Sequence, residues 1–216
     1  MIDLTNFSQL VIPDVLHCPS IMVTQAVKQS IIDFSEKTWI FSKSFNKVLS
    51  STDIVTTIND YVDIDVGEYV TEKAVVAIDQ FKIDGFDWDL KYVELENESN
   101  FVADLRLDTE KMFSFPDNTT VRIHEMESGY ELFLKVIYKP IYNITTIDDI
   151  LYNDYVEPIV AGAKYRLMTI PGQAWSNPGL AQYNESLWKR GMSEARRKIS
   201  QYTSQRKRVN WRRFGD

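Results

Sequence analysis

The sequence predicts an α+β fold: a discontinuous helical bundle with an inserted antiparallel β-rich domain, sandwich-like or barrel-like, and an extended C-terminal arm. Two observations carry the fold class. The hydrophobic period is helical at first, becomes two from about Thr52 to Lys139, and turns helical again after Ile147. Consecutive strands bracketed by helices imply segregated α+β architecture rather than alternating α/β. The division of charge carries the arm. Of 24 basic and 31 acidic residues, ten and two fall in residues 189–216, so a body near −15 ends in a segment near +8. The expected limits are residues 1–50 and 147–207 for the helical domain, 51–146 for the β-rich insertion and 208–216 for the arm.

In chain order, Val23, Val27, Ile31, Phe34 and Phe41 recur at spacings of three, four or seven, one stripe of a helix from Ser20 to Phe41. Ser20 is the expected N-cap, with Pro19 closing the loop before it. In the insertion, Val62, Ile64 and Val66 alternate with Asp63 and Asp65, and Trp88, Leu90 and Tyr92 alternate with Asp87, Asp89 and Lys91. Tyr130, Leu132, Leu134, Val136 and Tyr138 alternate in the same way. Turn residues at Asp84-Gly85, Pro116-Asp117-Asn118 and Glu127-Ser128-Gly129 separate these segments, which read as antiparallel strands with one wet face. Residues 119–126 and 130–139 are expected to pair as a hairpin, which Pro140 ends by withholding a ladder donor.

Thr146 with Asp149 three residues on is the expected start of the next helix. Ile159, Ala163, Leu167 and Ile170 mark its apolar face, Pro158 begins or kinks it, and Pro171-Gly172 stops it. Asn177-Pro178 restarts helix as an Asx cap followed by proline at the first helical position. Leu180, Tyr183, Leu187, Ala195, Ile199 and Tyr202 form a stripe reaching about Lys207. A helix of about 28 residues would be roughly 42 Å long, more than a small core requires. The excess points to neighbouring subunits, with Tyr183, Leu187, Ile199 and Tyr202 as interface residues.

Composition narrows the function. With 44% apolar and 12% aromatic residues the chain is too hydrophobic for general disorder. No apolar run approaches the ~18 residues of a membrane span, and no basic cluster precedes an apolar stretch as in a signal peptide. A single cysteine, Cys18, excludes an internal disulfide framework and fits synthesis in a reducing cytoplasm.

Catalytic and metal constellations are not found, so no enzyme activity, metal or cofactor is expected. His17 and His124 lie far apart, and His17-Cys18 has no second ligand at metal spacing, which makes it a loop histidine beside a buried thiol. Asp84, Asp87 and Asp89 around Gly85 imitate a calcium loop, but the closing position is Leu95 rather than glutamate. An acidic strand face explains them, and explains Asp63, Asp65 and Glu68 too. Trp88 and Tyr92 would supply stacking surfaces for a carbohydrate-binding module, yet strand-core packing accounts for both.

The terminal segment Arg206-Lys207-Arg208-Val209-Asn210-Trp211-Arg212-Arg213-Phe214 interleaves cations with aromatics. Frayed termini are normally aromatic-poor, so this reads as a docking arm with Trp211 and Phe214 as anchors and the cations meeting acids or phosphates. Nucleic acid is the alternative partner, opposed by the body's negative charge.

Three stretches resemble head-to-tail adaptor proteins of tailed bacteriophages, particularly short-tailed ones. The first runs from Ile12-Pro13 to Cys18-Pro19 and into a helix with Phe34, Trp39 and Phe41. The second is Leu134 to Pro140. The third runs from Asp148 through Gly162-Ala163 to Leu167, Pro171-Gly172, Trp175-Ser176-Asn177-Pro178 and Ala181, then Ala195 and Arg196. Together they span most of the chain. Pro158 and Lys164 depart from the usual pattern. The resemblance implies a virion protein of the neck: a ring, typically of twelve copies, beneath the portal protein, with DNA passing through. In that setting Arg206, Lys207, Arg208, Trp211, Arg212, Arg213 and Phe214 would bind the portal, and the β-rich domain would face outward or towards tail nozzle or tube proteins.

Overall fold

A computed structural model of the chain describes residues 1–50, 54–55, 61–65, 73–87, 89–92, 110–114, 120–124 and 129–204. The protein is mixed α+β, and the chain divides into two compact units, Met1–Ile40 with Tyr142–Asp216, and Phe41–Ile141.

Among the described residues the first unit holds four helices, α1 (Thr5–Val11), α2 (Ser20–Thr38), α3 (Asp149–Met168) and α4 (Pro178–Ser204), with a 3₁₀ turn at Ile12–Asp14. A short antiparallel pair, β1 (Ile2–Asp3) with β11 (Thr146–Ile147), ties the first residues to the approach to α3. Thr146, expected to open the helix, therefore lies in a strand. Asp148 is the cap instead, accepting from the Ile150 N–H at 3.1 Å.

Two expectations for α2 need correction. It ends at Thr38, so Phe41 is not on its stripe, and Pro19 rather than Ser20 occupies the N-cap. Trp39 ends the helix in the left-handed region (φ 61°), its N–H donating to the Ser35 carbonyl. Ser30, Ser35 and Thr38 are buried on this helix, which an apolar stripe does not foresee. Each hydroxyl is satisfied by a carbonyl: Ser35 by Ile31 and Thr38 by Phe34 within the helix, Ser30 by Ile159 of α3 at 2.7 Å.

Pro158 lies inside α3 and kinks it. Tyr155 leaves helical geometry (φ −136°, ψ 19°), where the proline ring crowds the preceding turn. Beyond the kink, Ile159 to Ala163 are all buried, so α3 is covered on several sides by its own unit. Helix α4 opens as the Asn-Pro pair predicts, with Asn177 Oδ1 accepting from the Leu180 N–H at 3.1 Å. Replacing Asn177 with alanine is expected to cost about 1 kcal/mol in chemical denaturation, the usual value of such a cap.

In the second unit, one sheet has the order β2 (Ser42–Val48), β10 (Glu131–Pro140), β5 (Lys73–Ile83), β6 (Phe86–Asp87), and all its pairs are antiparallel. The other runs β3 (Ile54–Val55), β4 (Tyr61–Asp65), β9 (Thr120–His124), β8 (Glu110–Ser114), β7 (Asp89–Tyr92). Ile64, Phe113, Val121 and Ile123 from the second sheet share one core with Phe81, Ile83, Leu132, Leu134 and Val136 from the first. The two sheets form a sandwich, and there is no closed barrel among the described residues. Because Ser42–Val48 pairs with β10, residues 41–50 belong with the sheets, which moves the expected boundary at residue 50 back to 40.

The expected hairpin of residues 119–126 with 130–139 does not form. β9 pairs with β4 and β8, whereas both edges of β10 are taken by β2 and β5, so the chain changes sheets between the two strands. A second correction is that β7 and β8 pair in parallel. The Asp-Gly turn is as expected: Asp84 and Gly85 have φ of 49° and 83°, the two-residue geometry that joins tightly paired strands. The alternation of Leu132, Leu134 and Val136 into the core also matches, with Tyr130 and Tyr138 packed at its margin.

Candidate functional site

The long helix α4 is the candidate, because 27 residues give it a length of about 40 Å. Its buried face is Ala181, Asn184, Trp188 and Ala195. This corrects the expected stripe, of which Ala195 alone is buried among the described side chains. Leu180 and Tyr183 are 47% and 61% exposed, and Leu187 and Ile199 are half-buried. Tyr202 lies within α4, but its side chain is outside the described residues, as are Arg206, Lys207, Arg208, Trp211, Arg212, Arg213 and Phe214. Of the proposed interface residues whose side chains are described, Tyr183 presents most surface.

The stripe missed the apolar Ala181 and Trp188, and with them residues that do not count as apolar. Asn184 donates to the Leu180 carbonyl at 2.8 Å and lies beside the Met168 sulfur. Gly191 lets Pro158 approach so closely that a β-carbon there would sit 2.3 Å from the proline Cβ. Gly162 plays the same part on α3, facing Ser30 and the indole of Trp188. Proline and glycine are thus mated across the α3–α4 contact, and the kink becomes part of the packing.

Trp188 organises this core. Tyr165 stacks near its ring at 6.2 Å between centroids, and Lys37 and Arg166 each lie 5.1 Å from the ring centroid. Arg166 is ion-paired to Asp33, whose other oxygen accepts from the Gln29 amide at 2.8 Å. Both partners of the pair are largely shielded, so it is a structural contact of α2 with α3 rather than an open reactive group.

Away from the core α4 is cationic. Residues 189–198 include Lys189, Arg190, Arg196, Arg197 and Lys198, all exposed, against Glu194. Lys189 pairs with Glu185 at 2.7 Å, and that hydrogen bond and charge raise the ammonium above its ordinary pKa. Arg196 and Lys198 lie over the rings of Trp39 and Tyr155, at 5.2 and 5.8 Å.

Of the acids in the calcium-loop imitation and the neighbouring acidic strand, Asp84 and Asp63 have protein partners. Asp84 Oδ1 accepts from the Glu131 N–H at 2.8 Å. Asp63 accepts two bonds from the cross-strand guanidinium of Arg122, at 2.8 and 2.9 Å. His17 is exposed at a turn (φ 68°), and Cys18 is half-buried rather than buried as expected, its partial burial raising the thiol above its ordinary pKa. Trp88, Glu68 and the side chains of Asp87, Asp89, Tyr92 and His124 lie outside the described residues. Among the described residues no three His, Cys, Asp or Glu side chains gather as metal ligands, and no helix is long and apolar enough to cross a membrane. The arrangement is suited to recognition through a long, charged helix face. Compared with known proteins, the chain matches no protein-family model and no curated relative.

Proposed function

We propose that the chain is a structural head-to-tail adaptor, forming a ring beneath the portal of a tailed bacteriophage and joining capsid to tail with a passage for DNA. The observation that carries this reading is α4: a helix of about 40 Å that buries one face in its own unit and leaves the opposite face, with Tyr183 and several cations, to solvent. A helix so long and so incompletely covered fits lateral contact with further copies. Contacts between unlike surfaces close into rings when the rotation allows. The segregated β-rich unit fits a part that meets tail proteins. The sequence following α4, with Trp211 and Phe214 among arginines, fits an arm that seats in the portal. In this reading the protein is no enzyme, holds no cofactor, and works at the neck of the virion, with about twelve copies by resemblance to other adaptors.

Removing residues 206–216 is expected to abolish co-sedimentation with portal rings of the same virus while the rest of the chain keeps its cooperative unfolding transition. Undiminished binding by the truncated chain, or no binding by the full chain, would overturn the proposal. A second reading is favoured by the cations of α4 and the terminal segment together: a nucleic-acid-binding protein. It predicts DNA affinity that falls steeply with salt, with a slope that shrinks as arginines are removed.

A further inference from the structure

The helical unit sets an acidic first part of α3 beside a basic stretch of α4, the later cations of α3, Lys164 and Arg166, being paired with Asp14 and Asp33. Residues 140–163 contain four carboxylates and no lysine or arginine, and residues 189–198 contain five cations and one acid. On α3 and its cap, Asp148, Asp149, Asp154 and Glu157 are all exposed. Asp148 is used as the helix cap and Asp149 meets the Met1 amino group at 2.6 Å, which leaves Asp154 and Glu157 as the outward anions on either side of the kink.

On α4, Arg190 and Arg197 are seven residues apart, so they share one face, about 10 Å apart along the axis. That face is opposite Ala181, Asn184, Trp188 and Ala195, the residues turned to the core. The Arg190 side chain is 71% exposed and meets Glu194 only at 4.0 Å. Among the described residues no ion pair joins the acids of α3 to the cations of α4, although the helices touch through Pro158 and Gly191. Each charged face also has an exposed apolar residue in line with it: Ile150 lies four residues before Asp154, and Tyr183 seven before Arg190.

We infer that the basic face of α4 docks on the acidic face of α3 in a second copy of this chain. Two facts favour a copy over nucleic acid. A polyanion would pair with Arg190 and Arg197 but leave the exposed Asp154 and Glu157 of the neighbouring helix unanswered. In a series of copies each chain offers its guanidiniums to the carboxylates of one neighbour and its carboxylates to the guanidiniums of the other, with Tyr183 and Ile150 adding apolar contact. The contact joins unlike faces, so each added copy leaves one face of each sign open, and the series ends when it closes. The inference deepens the adaptor reading and rests on it for ring closure, not for the contact itself.

The test is self-association of the full chain by sedimentation velocity, at about 50 mM and about 500 mM salt, for wild type and two variants. These are Arg190→Glu/Arg197→Glu and Asp154→Lys/Glu157→Lys, with helicity checked by circular dichroism. The wild type should associate at low salt and weaken at high salt. Each variant should associate about 100-fold more weakly, since like charges then face each other, and an equimolar mixture of the two should recover association. A wild type that stays monomeric, a variant that associates normally, or a mixture that fails to recover would overturn the inference. So would duplex DNA binding that depends on Arg190 and Arg197 without self-association. Portal co-sedimentation separates the two readings. A variant that binds portal through its terminal segment but does not self-associate with wild-type strength leaves the adaptor reading standing, and a full wild-type chain that ignores portal rings removes it.

Discussion

Replacing Trp188 with alanine is expected to lower the unfolding free energy by about 4 kcal/mol, read by urea denaturation followed at the helical circular dichroism band. The side chain is 5% exposed and sits where α2, α3 and α4 meet. Its removal leaves a cavity that the surrounding helices cannot readily fill, because Gly162 offers no side chain to move into it. Lys37 and Arg166 lose the ring face they lie over, each contact being worth about 0.5–2 kcal/mol. Phenylalanine at this position should cost only about 1–2 kcal/mol. The indole N–H is buried with no hydrogen-bond partner among the described residues, so deleting it breaks no such bond there. A loss for phenylalanine as large as that for alanine would mean that the N–H is engaged after all.

The fold class was legible because period is a direct consequence of geometry. Leu132, Leu134 and Val136 alternate since a strand turns successive side chains to opposite faces, and all three reach the core. The Asn177-Pro178 start and the Asp84-Gly85 turn were legible because each rests on one local backbone requirement. Strand partnership was not. Nothing within residues 119–139 reveals that β2 and β5 already occupy both edges of β10, because pairing is decided by distant segments. The buried face of α4 was missed in part for a related reason: Asn184 and Gly191 are chosen by what α3 presents, the Met168 sulfur and the Pro158 ring, and neither registers as hydrophobic. Ala181 and Trp188 do register, but lie off the stripe drawn through Leu180, Tyr183 and Leu187. The length of α4 and the cations within it were legible in the sequence, whereas Asp154 and Glu157 on α3 went unremarked.

Alanine at Gly162 should destabilise the protein by about 2–3 kcal/mol, and alanine at Gly191 by at least as much, even though alanine favours a helix interior by about 1 kcal/mol. The two losses should respond differently to a second substitution. A β-carbon at position 162 would lie 2.4 Å from Ser30 Oγ and 2.9 Å from the Trp188 ring. Ser30 can yield by rotating, but then its hydroxyl leaves the Ile159 carbonyl and is stranded in the core. Removing that hydroxyl relieves the conflict, so Ser30→Ala with Gly162→Ala should be more stable than the sum of the single effects by about 1–2 kcal/mol. At position 191 the obstacle is the proline ring itself, 2.3 Å away at Cβ and 2.8 Å at Cγ. It is fixed to the α3 backbone and has no rotamer to escape into. Pro158→Ala keeps the nearer of those carbons, so adding it to Gly191→Ala should give little recovery. Equal rescue at both sites would mean that α3 and α4 simply move apart, and that the close mating of Pro158 with Gly191 does not determine where the helices cross.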